Sequence, residues 1–392
     1  MDVGRPGLDA ARAMLDRYWG YRAFRPDQLK VIGPALAGRS VLAVLPTGAG
    51  KSLCFQVPAL LGDGLTLVVS PLISLMQDQV RALTRRGVPA AYLNSTLTRE
   101  DRAAVLERVR RRTVRLLYGA PERLPALARW LARAGVRVGL LAVDEAHCIT
   151  EWGHAFRPVY RRLGEIRYRL GDPVTVALTG SATPAARREI LEVLRLRRAI
   201  EVVASFDRPN LRFEVVRVSD DRARFDRVRR TARDAPGSVI VYAPTRRLAE
   251  LLTRALLRMG VRAAPYHAGL PLDLRRRVLL AFLRDRERVI VATTAFGMGI
   301  DKPDVRRVLH WGPARTLEGY YQEAGRAGRD GEPAVCTLLW HPEDWRTTAG
   351  VDAAMRAFVE RRRCRREALL AHFGERLTGR CGECDVCGDG GR

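Results

Sequence analysis

A glycine-rich loop has the residue types and the spacing needed to bind a nucleoside triphosphate. It reads L-P-T-G-A-G-K-S at residues 45–52 and overlaps the end of the apolar run 41–45. In a strand-loop-helix arrangement of this kind, backbone N–H groups surround the phosphates, Lys51 reaches the β- and γ-phosphate oxygens, and Ser52 holds Mg²⁺. The candidate nucleotide-binding residues of the loop are Thr47, Gly48, Ala49, Gly50, Lys51 and Ser52. The loop fits the shorter T-G-x-G-K-S form of the motif, because Leu45 stands where the longer form has glycine. A glycine turn that only caps a helix is the alternative.

Lysine is scarce in this chain, which strengthens the interpretation of Lys51. Only three of the 68 basic residues are lysine, at positions 30, 51 and 302, and the other 65 are arginine. A compact ammonium group in place of a planar guanidinium is what the phosphate loop requires.

An acidic pair follows the strand predicted at 138–143. Asp144 and Glu145 begin the tetrapeptide D-E-A-H, which ends at His147. Asp144 could bind the Mg²⁺ that Ser52 holds, and Glu145 could orient and deprotonate an attacking water. An acidic turn after a strand is common by itself, but together with the phosphate loop it indicates an ATPase. Asp144, Glu145 and His147 are therefore candidate catalytic residues.

Four of the seven cysteines are close together near the end of the sequence. Cys364, Cys381, Cys384 and Cys387 have the spacing C-x16-C-x2-C-x2-C. Four thiolates with two C-x2-C steps are typical of a structural tetrahedral Zn²⁺ site. A redox pair or a disulfide is the alternative. The remaining cysteines are interpreted as buried small residues.

Alternating strand and helix patterns predict the elements that carry these residues. Strands are predicted at 41–45, 65–69, 114–117, 138–143 and 174–178, and later at 238–242, 289–292, 305–309 and 334–339. Such alternation predicts an α/β protein with parallel sheets in two lobes. One helix is expected to begin with Ser70 as N-cap and Pro71 as its first residue, and another to be capped by Thr98. The predicted domains are 1–207, 208–340, a helical and cysteine-rich segment at 341–388, and a tail at 389–392.

The overall charge indicates a polyanionic partner. The formal net charge is +25 and the pI is near 11, which favours nucleic acid as the ligand. Arginine enrichment on solvated faces is the alternative. No signal peptide and no apolar run of about 18 residues is found, so a cytoplasmic protein without a membrane contact is expected.

From about Tyr18 to Cys387, these motifs resemble the RecQ family of DNA helicases, within the DExH-box superfamily 2. The resemblance implies two tandem RecA-like lobes followed by a small zinc-binding subdomain, with ATP, Mg²⁺ and Zn²⁺ as cofactors. It also implies 3′ to 5′ movement on single-stranded DNA and duplex unwinding in recombination and repair. The stretch W-G-Y-R-A-F-R-P-D-Q is similar to the family's adenine-binding motif. It would place Tyr21 against the base, Gln28 on its hydrogen-bonding edge and Arg25 beside it; helix packing is the alternative.

After D-E-A-H, the stretch C-I-T-E-W-G-H-A-F-R-P-V-Y is similar to the family's aromatic-rich loop. Trp152 and Phe156 offer faces on which unstacked bases can stack, and Arg157 offers a phosphate or cation–π contact. Two aromatic residues in the core would be the alternative. A-L-T-G-S-A-T-P at 177–184 resembles motif III, in which Ser181 and Thr183 relay between the nucleotide and DNA sites; Thr183 could equally cap a helix.

The second lobe carries the later motifs of the family. Y-H-A-G-L at 266–270 places His267 among the implied DNA contacts, and Y-Y-Q-E-A-G-R-A-G-R-D-G spans 320–331. By resemblance, Arg326 and Arg329 are arginine fingers and Gln322 contacts the nucleotide or its water. An arginine finger contributes roughly 10³ to 10⁵ in rate in phosphoryl transfer.

The expected partners are single-stranded DNA, tailed or forked duplexes, and single-stranded-DNA-binding and recombination proteins. A monomer in the cytoplasm, associated with the nucleoid, is expected. Many family members continue into winged-helix and helical domains, whereas this sequence stops at Arg392. A DNA-stimulated translocase or annealing protein with weak unwinding is therefore the alternative, and an RNA helicase is a third possibility.

Overall fold

The computed structural model describes residues 7–46, 48–150, 158–297, 302–348 and 350–388. The chain divides into two compact units, Met1–Ser205 and Phe206–Arg392. Each unit contains its own parallel sheet. In the described part of the chain, every helix is too short or too polar to cross a membrane.

The first unit is built on seven parallel strands in the order β3-β4-β2-β5-β6-β1-β7. Nearly every residue of the central strands is buried, which explains their continuous apolar sequences. The strands are β1 Val41–Val44, β2 Leu65–Val69, β3 Ala90–Leu93, β4 Leu116–Gly119, β5 Val138–Val143, β6 Val174–Thr179 and β7 Ile200–Val203. The helices are α1 Leu8–Trp19, α2 Pro26–Leu36, α3 Leu53–Leu61, α4 Ile73–Arg85, α5 Arg99–Arg110, α6 Leu124–Arg133, α7 Leu163–Arg169 and α8 Pro184–Val193.

The second unit is built on six parallel strands in the order β10-β11-β9-β12-β13-β8. Its strands are β8 Leu211–Arg217, β9 Ser238–Tyr242, β10 Ala263–Tyr266, β11 Val289–Ala292, β12 Val305–His310 and β13 Ala334–Trp340. Its helices are α9 Asp221–Asp234, α10 Arg246–Arg258, α11 Leu272–Leu283, α12 Leu317–Ala324, α13 Asp344–Thr347, α14 Ala353–Glu360 and α15 Arg365–His372. The predicted α/β class with two parallel-sheet lobes and a small helical segment at the end is confirmed. The predicted domain boundaries stay predictions, although the change of unit at Ser205 lies two residues from the predicted one.

Helix starts test the capping predictions directly. Thr98 accepts a hydrogen bond from the Asp101 N–H at 3.0 Å, as predicted. The prediction for α4 is wrong, because the helix begins at Ile73 with Leu72 as its N-cap. The Ser70 N–H donates to Gly119 O at 3.4 Å, so the chain is still extended beside β4 where the helix was expected to begin.

Candidate functional site

The phosphate loop connects β1 to α3. Ser52 is the N-cap of α3, and the Cys54 N–H donates to Lys51 O at 3.0 Å. Gly48 and Gly50 have φ values of 85° and 73°, in the left-handed region where glycine is favoured. A Cβ atom on Gly50 would also lie 2.5 Å from Nε2 of Gln28. The glycine spacing thus meets a conformational and a steric requirement. Thr47 lies outside the described residues.

The three lysines lie in three different environments. Lys51 donates from Nζ to Leu45 O at 3.2 Å and to Pro46 O at 3.4 Å, within its own loop. Lys302 is 4 % exposed, and its Nζ lies 2.7 Å from Asp285 Oδ1 and 2.9 Å from Asp304 Oδ1. Lys30 is exposed and pairs with Asp27. Only Lys51 has a loop geometry suited to a phosphate ligand.

Two residues of the predicted adenine motif, Gln28 and Arg25, contact the phosphate loop. Gln28 is buried in α2 and donates from Nε2 to Ala49 O at 3.0 Å and to Gly50 O at 3.2 Å. Its Oε1 accepts from the Arg25 N–H at 2.9 Å, and the Arg25 guanidinium donates to Gly48 O. Gln28 therefore fixes the loop in this structure, and its contact with adenine stays a prediction. Tyr21 is 57 % exposed, so its ring is accessible for stacking.

Asp144 is a buried carboxylate at the end of β5. Its Oδ1 accepts from the Glu145 N–H at 3.1 Å, and its Oδ2 accepts from Gln79 Nε2 at 3.4 Å. Burial and the neighbouring charge of Glu145 raise the pKa of Asp144 to about 7, against the opposing effect of Lys51. A carboxylate with so little solvation gains from a cationic ligand, which fits the Mg²⁺ role predicted for it.

His147 connects the D-E-A-H segment to the T-G-S-A-T segment. Its Nδ1 lies 3.0 Å from Thr179 Oγ1 and 3.4 Å from Glu145 Oε2. Thr179 donates its hydroxyl proton to Ser181 O at 3.0 Å, so it is an acceptor toward the imidazole. The proton of a neutral His147 is therefore assigned to Nδ1. Glu145 has φ 51° and ψ 50°, a left-handed conformation that turns the chain sharply after Asp144.

A buried polar network behind Asp144 was missed by the sequence reasoning. Tyr118 donates its hydroxyl to Gln79 Oε1 at 2.8 Å and accepts from Gln56 Nε2 at 3.1 Å. Tyr118 is fully buried, and burial raises the pKa of its hydroxyl well above the ordinary value. The network orients the Gln79 amide toward Asp144. The available signal was Gln56 within the apolar helix α3, because Gln79 lies in the amphipathic helix α4.

In the second unit, α12 and the turn after it carry the predicted catalytic residues. Gln322 lies in α12, and Arg326, which is 8 % exposed, and Arg329 follow it. Two hydrogen bonds fix this turn: Gly328 O accepts from Arg208 Nη2 and from Asn210 Nδ2, each at 2.8 Å. A Cβ on Gly328 would lie 2.5 Å from Asn210 Nδ2, so this glycine is needed for the close approach.

A buried pair of side chains fixes α12 against the sheet. Glu323 Oε2 lies 2.9 Å from Nε2 of His310, and both residues are buried. The His310 ring stacks on Tyr242 at 5.1 Å, and Tyr242 donates to Phe296 O at 2.7 Å. These contacts fix the end of α12 against the sheet, and therefore the position of the turn that carries Arg326 and Arg329.

Of the four predicted DNA contacts, only His267 lies in the described part of the chain. Trp152, Phe156 and Arg157 lie outside the described residues. His267 is 2 % exposed, and its Nε2 lies 3.1 Å from Glu250 Oε1. Such burial gives no support to a direct DNA contact by His267, which stays a prediction.

The four clustered cysteines converge at the start of α15 and in the loop 381–387. Their Sγ atoms all lie within 4.8 Å of one another, and all four cysteines are free. Zn–S bonds of about 2.3 Å require thiolates at this kind of separation. Asp385 lies between Cys384 and Cys387 in the sequence. Its N–H donates to Phe213 O at 3.2 Å, and its side-chain Oδ2 accepts from the Val215 N–H at 3.3 Å. The cysteine cluster is thus fastened to the edge strand β8.

Three family models match consecutive parts of the chain. Residues 25–191 match the DEAD/DEAH box helicase model, residues 223–331 the helicase conserved C-terminal domain, and residues 348–388 the RecQ zinc-binding model. The last match, together with the four thiols, confirms zinc binding as predicted.

Relatives and a solved structure agree with these matches. The ATP-dependent DNA helicase RecQ of Haemophilus influenzae is 40% identical over 97% of this chain, which spans 64% of that relative. The RecQ helicase of Synechocystis is 44% identical over 84% of this chain and 71% of its own length. The structure of S. cerevisiae Dbp5 bound to RNA and ADP BeF3 is similar in fold, with a TM-score of 0.67, 16% identity and 90% of each chain covered. On its motifs, its zinc-binding module and its likeness to these relatives, the chain belongs to the RecQ family of ATP-dependent DNA helicases.

Proposed function

We propose that the protein is an ATP-dependent DNA helicase that moves 3′ to 5′ on single-stranded DNA and unwinds duplexes in recombination and repair. One observation carries the proposal: the buried Asp144 and the phosphate loop follow parallel strands of one sheet, β5 and β1, in a RecQ-family chain. The relatives named above are ATP-dependent DNA helicases, which supports DNA as the substrate.

In the proposed mechanism, the first unit holds the triphosphate. Lys51 exchanges its bonds to Leu45 O and Pro46 O for bonds to phosphate oxygens. Ser52 and Asp144 would hold Mg²⁺, which supplies Lewis-acid stabilisation of the transferred phosphoryl group when bound. Glu145 orients and deprotonates the water. His147 connects Glu145 to Ser181 through Thr179.

The remaining roles belong to the second unit and the aromatic segment. Arg326 and Arg329 supply positive charge to the phosphoryl group, and Gln322 contacts the nucleotide or its water. Trp152, Phe156 and Arg157 are proposed to bind single-stranded DNA. Monomeric state, nucleoid association, and single-stranded-DNA-binding and recombination proteins as partners stay predictions.

The variant Lys51→Ala tests the proposal. ATP turnover measured with and without single-stranded DNA is expected to fall by about 10²-fold or more, because a charge that stabilises the transferred phosphoryl group is removed. DNA affinity measured by fluorescence anisotropy is expected to stay unchanged. Lys30→Ala, which alters an exposed ion pair, is the matched control. Normal turnover in Lys51→Ala would refute the assignment.

Polarity is tested separately with tailed duplexes. The proposal expects unwinding of a duplex with a 3′ single-stranded tail and little unwinding of the same duplex with a 5′ tail. A translocation assay on single-stranded DNA runs alongside, so that movement without strand separation is recognised. Stronger stimulation of ATP turnover by RNA than by DNA would contradict the substrate assignment.

A further inference from the structure

A cavity of about 420 Å³ lies in the second unit between α9 and the sheet. Its walls combine residues of three adjacent strands with residues of one helix face. The lining residues with polar side chains are Arg212, Glu214, Arg227, Arg230, Thr231, Asp234, Arg307 and Thr337. None of them belongs to the nucleotide, zinc or DNA motifs described above.

The sheet register explains why these strand residues meet. Arg212 of β8 pairs with Val335 of β13, which pairs with Arg307 of β12. Paired residues of a parallel sheet point to the same face, so the two arginines are on one side with a single strand between them. In the next row, Glu214 pairs with Thr337 in the same way.

This polar patch interrupts a face that is otherwise apolar. Thr337 pairs with Leu309, which packs in the core beneath α9 and α10 with Val239 and Val241. The opposite face of the same strands is buried at Phe213 and Cys336. Parallel sheets are normally covered by apolar packing on both faces. Arg212 on the edge strand β8, Thr337 on β13 and Arg307 on β12 therefore replace the apolar packing expected between α9 and the sheet.

The cavity is lined by four arginines and only two acidic residues, and both acidic side chains already pair with an arginine. Glu214 Oε1 lies 2.9 Å from Arg212 Nε, and Glu214 Oε2 accepts from the Thr337 hydroxyl at 3.1 Å. Asp234 pairs with Arg233, outside the cavity, at 2.7 Å.

The basic groups are less fully engaged. Arg227, Arg230 and Arg307 form no ion pair with any carboxylate in the described ranges of the chain, although Arg230 Nε donates to Asp226 O at 3.4 Å. Three guanidinium groups of one cavity therefore have charge available for an anion.

We propose that this cavity is a phosphate-binding site. Guanidinium groups bind phosphate oxygens in a planar, bidentate geometry, and two of them on opposite walls can hold one phosphate group. The phosphate can belong to the backbone of a DNA strand or to a free oligophosphate such as pyrophosphate. The site goes beyond the proposed function, because Arg212, Val335 and Arg307 lie in the amino-terminal halves of their strands, whereas α12 follows the carboxyl end of β12.

The test removes two of the three unpaired charges, one from α9 and one from β12. The variant Arg227→Gln, Arg307→Gln is compared with Arg254→Gln, Arg258→Gln, which removes the same charge from exposed positions of α10. Affinity for a fluorescein-labelled oligothymidylate is measured by anisotropy over a range of salt concentrations, with melting curves to check folding. The cavity variant is expected to bind about 10-fold more weakly. Its slope of log K against log salt is expected to fall by about 0.7 for each phosphate group that the variant no longer binds.

A second measurement identifies the source of the phosphate. Pyrophosphate is titrated against the melting temperature in the Lys51→Ala background, which removes binding at the phosphate loop. Weaker DNA binding by the cavity variant alone supports a backbone contact, and weaker stabilisation by pyrophosphate alone supports a free oligophosphate. An unchanged result in both assays, or an equal decrease in the α10 control, overturns the proposal. ATP turnover is recorded in parallel, so an inactive wild-type protein would refute the helicase proposal without affecting the binding result.

Discussion

At the residue scale, Asp144 is a predicted catalytic group whose burial lowers the stability of the fold. It is buried, and its pKa is raised to about 7, so the folded protein without metal holds a charge that burial disfavours. The Gln79 amide and the Glu145 N–H offset part of this cost. This cost fits the prediction that Asp144 binds Mg²⁺, which would stabilise its charge.

Asp144→Asn is expected to abolish ATP turnover and to raise the free energy of unfolding of the metal-free protein by about 1 kcal/mol or more at pH 8. The expected increase in the free energy of unfolding follows from the linkage between proton binding and folding. Because the folded-state pKa exceeds the ordinary value of 3.8, wild type has its full penalty above pH 7 and loses it as the pH falls toward 3.8. Urea unfolding in EDTA at pH 8 and pH 5 measures the difference. A variant that is less stable than wild type at pH 8 would contradict this account.

Tyr118→Phe is expected to destabilise the protein by about 1–3 kcal/mol, because the amides of Gln56 and Gln79 lose a buried partner. The disturbed Gln79 amide should also raise the Mg²⁺ concentration needed for half-maximal ATP turnover. Tyr168→Phe, at a position 67 % exposed, is the control. Equal melting temperatures for wild type and Tyr118→Phe would show that the network contributes nothing.

The individual residues differ in how far the sequence could predict them. Lys51 and Asp144 could be proposed from the sequence because the chemistry of phosphate and Mg²⁺ restricts both residue type and spacing, and their roles stay predictions. Gln79 could not be proposed, since a glutamine in an amphipathic helix resembles a solvated position until the fold brings Tyr118 beside it. The bonds of Gln28 to the loop carbonyls likewise depend on how α2 packs against the loop.

At the scale of elements, α8 begins at a residue with one observed and one predicted role. Thr183 accepts from the Ala186 N–H at 3.2 Å, with Pro184 as the first residue of the helix, so the predicted cap is confirmed. Thr98 does the same for α5. The relay role of Thr183 stays a prediction from its motif.

Thr183→Ala and Thr98→Ala are each expected to cost about 1 kcal/mol of stability, because each removes a capping hydrogen bond. Only Thr183→Ala is expected to lower DNA-stimulated ATP turnover, and Thr183→Ser should restore both stability and turnover. Melting curves and turnover of the three variants measure this. Equal turnover in both alanine variants would show that Thr183 only caps the helix and has no relay role.

Elements with strong apolar runs were predictable, and short edge elements were not. The bounds of β2, β5, β9 and β11 agree with the predicted ones to the residue. β10 was missed because its sequence A-A-P-Y contains proline, which an edge strand tolerates since only one side is paired. β8 was missed because arginine and glutamate alternate with its buried residues. Two of these polar residues, Arg212 and Glu214, line the cavity.

At the scale of the whole molecule, the cysteine cluster stabilises the sheet of the second unit. Asp385 bonds to two residues of β8, Phe213 and Val215, and also accepts from Arg365 Nε at 3.0 Å. Metal loss should therefore release the edge strand as well as the loop that binds the metal. The sequence could predict the ligands from their spacing, but not this attachment, because the partner strand lies about 170 residues earlier.

Cys384→Ser is expected to lower the melting temperature and to increase hydrogen exchange in β8 while leaving ATP affinity unchanged. Chelation of wild-type protein should produce the same exchange pattern. Hydrogen exchange read by mass spectrometry, with nucleotide binding measured separately, checks both statements. Slow exchange in β8 after complete removal of the metal would contradict the proposed attachment.

The three lysines, each in a different environment, offer a mass-based reporter of nucleotide binding. An amine-directed acylating reagent should modify exposed Lys30 first, and Lys302 slowly because two aspartates surround its ammonium group. Lys51 should react at an intermediate rate that falls when nucleotide occupies the loop. The extent of acylation at one peptide would then report nucleotide occupancy, with the other two lysines as internal standards in the same sample.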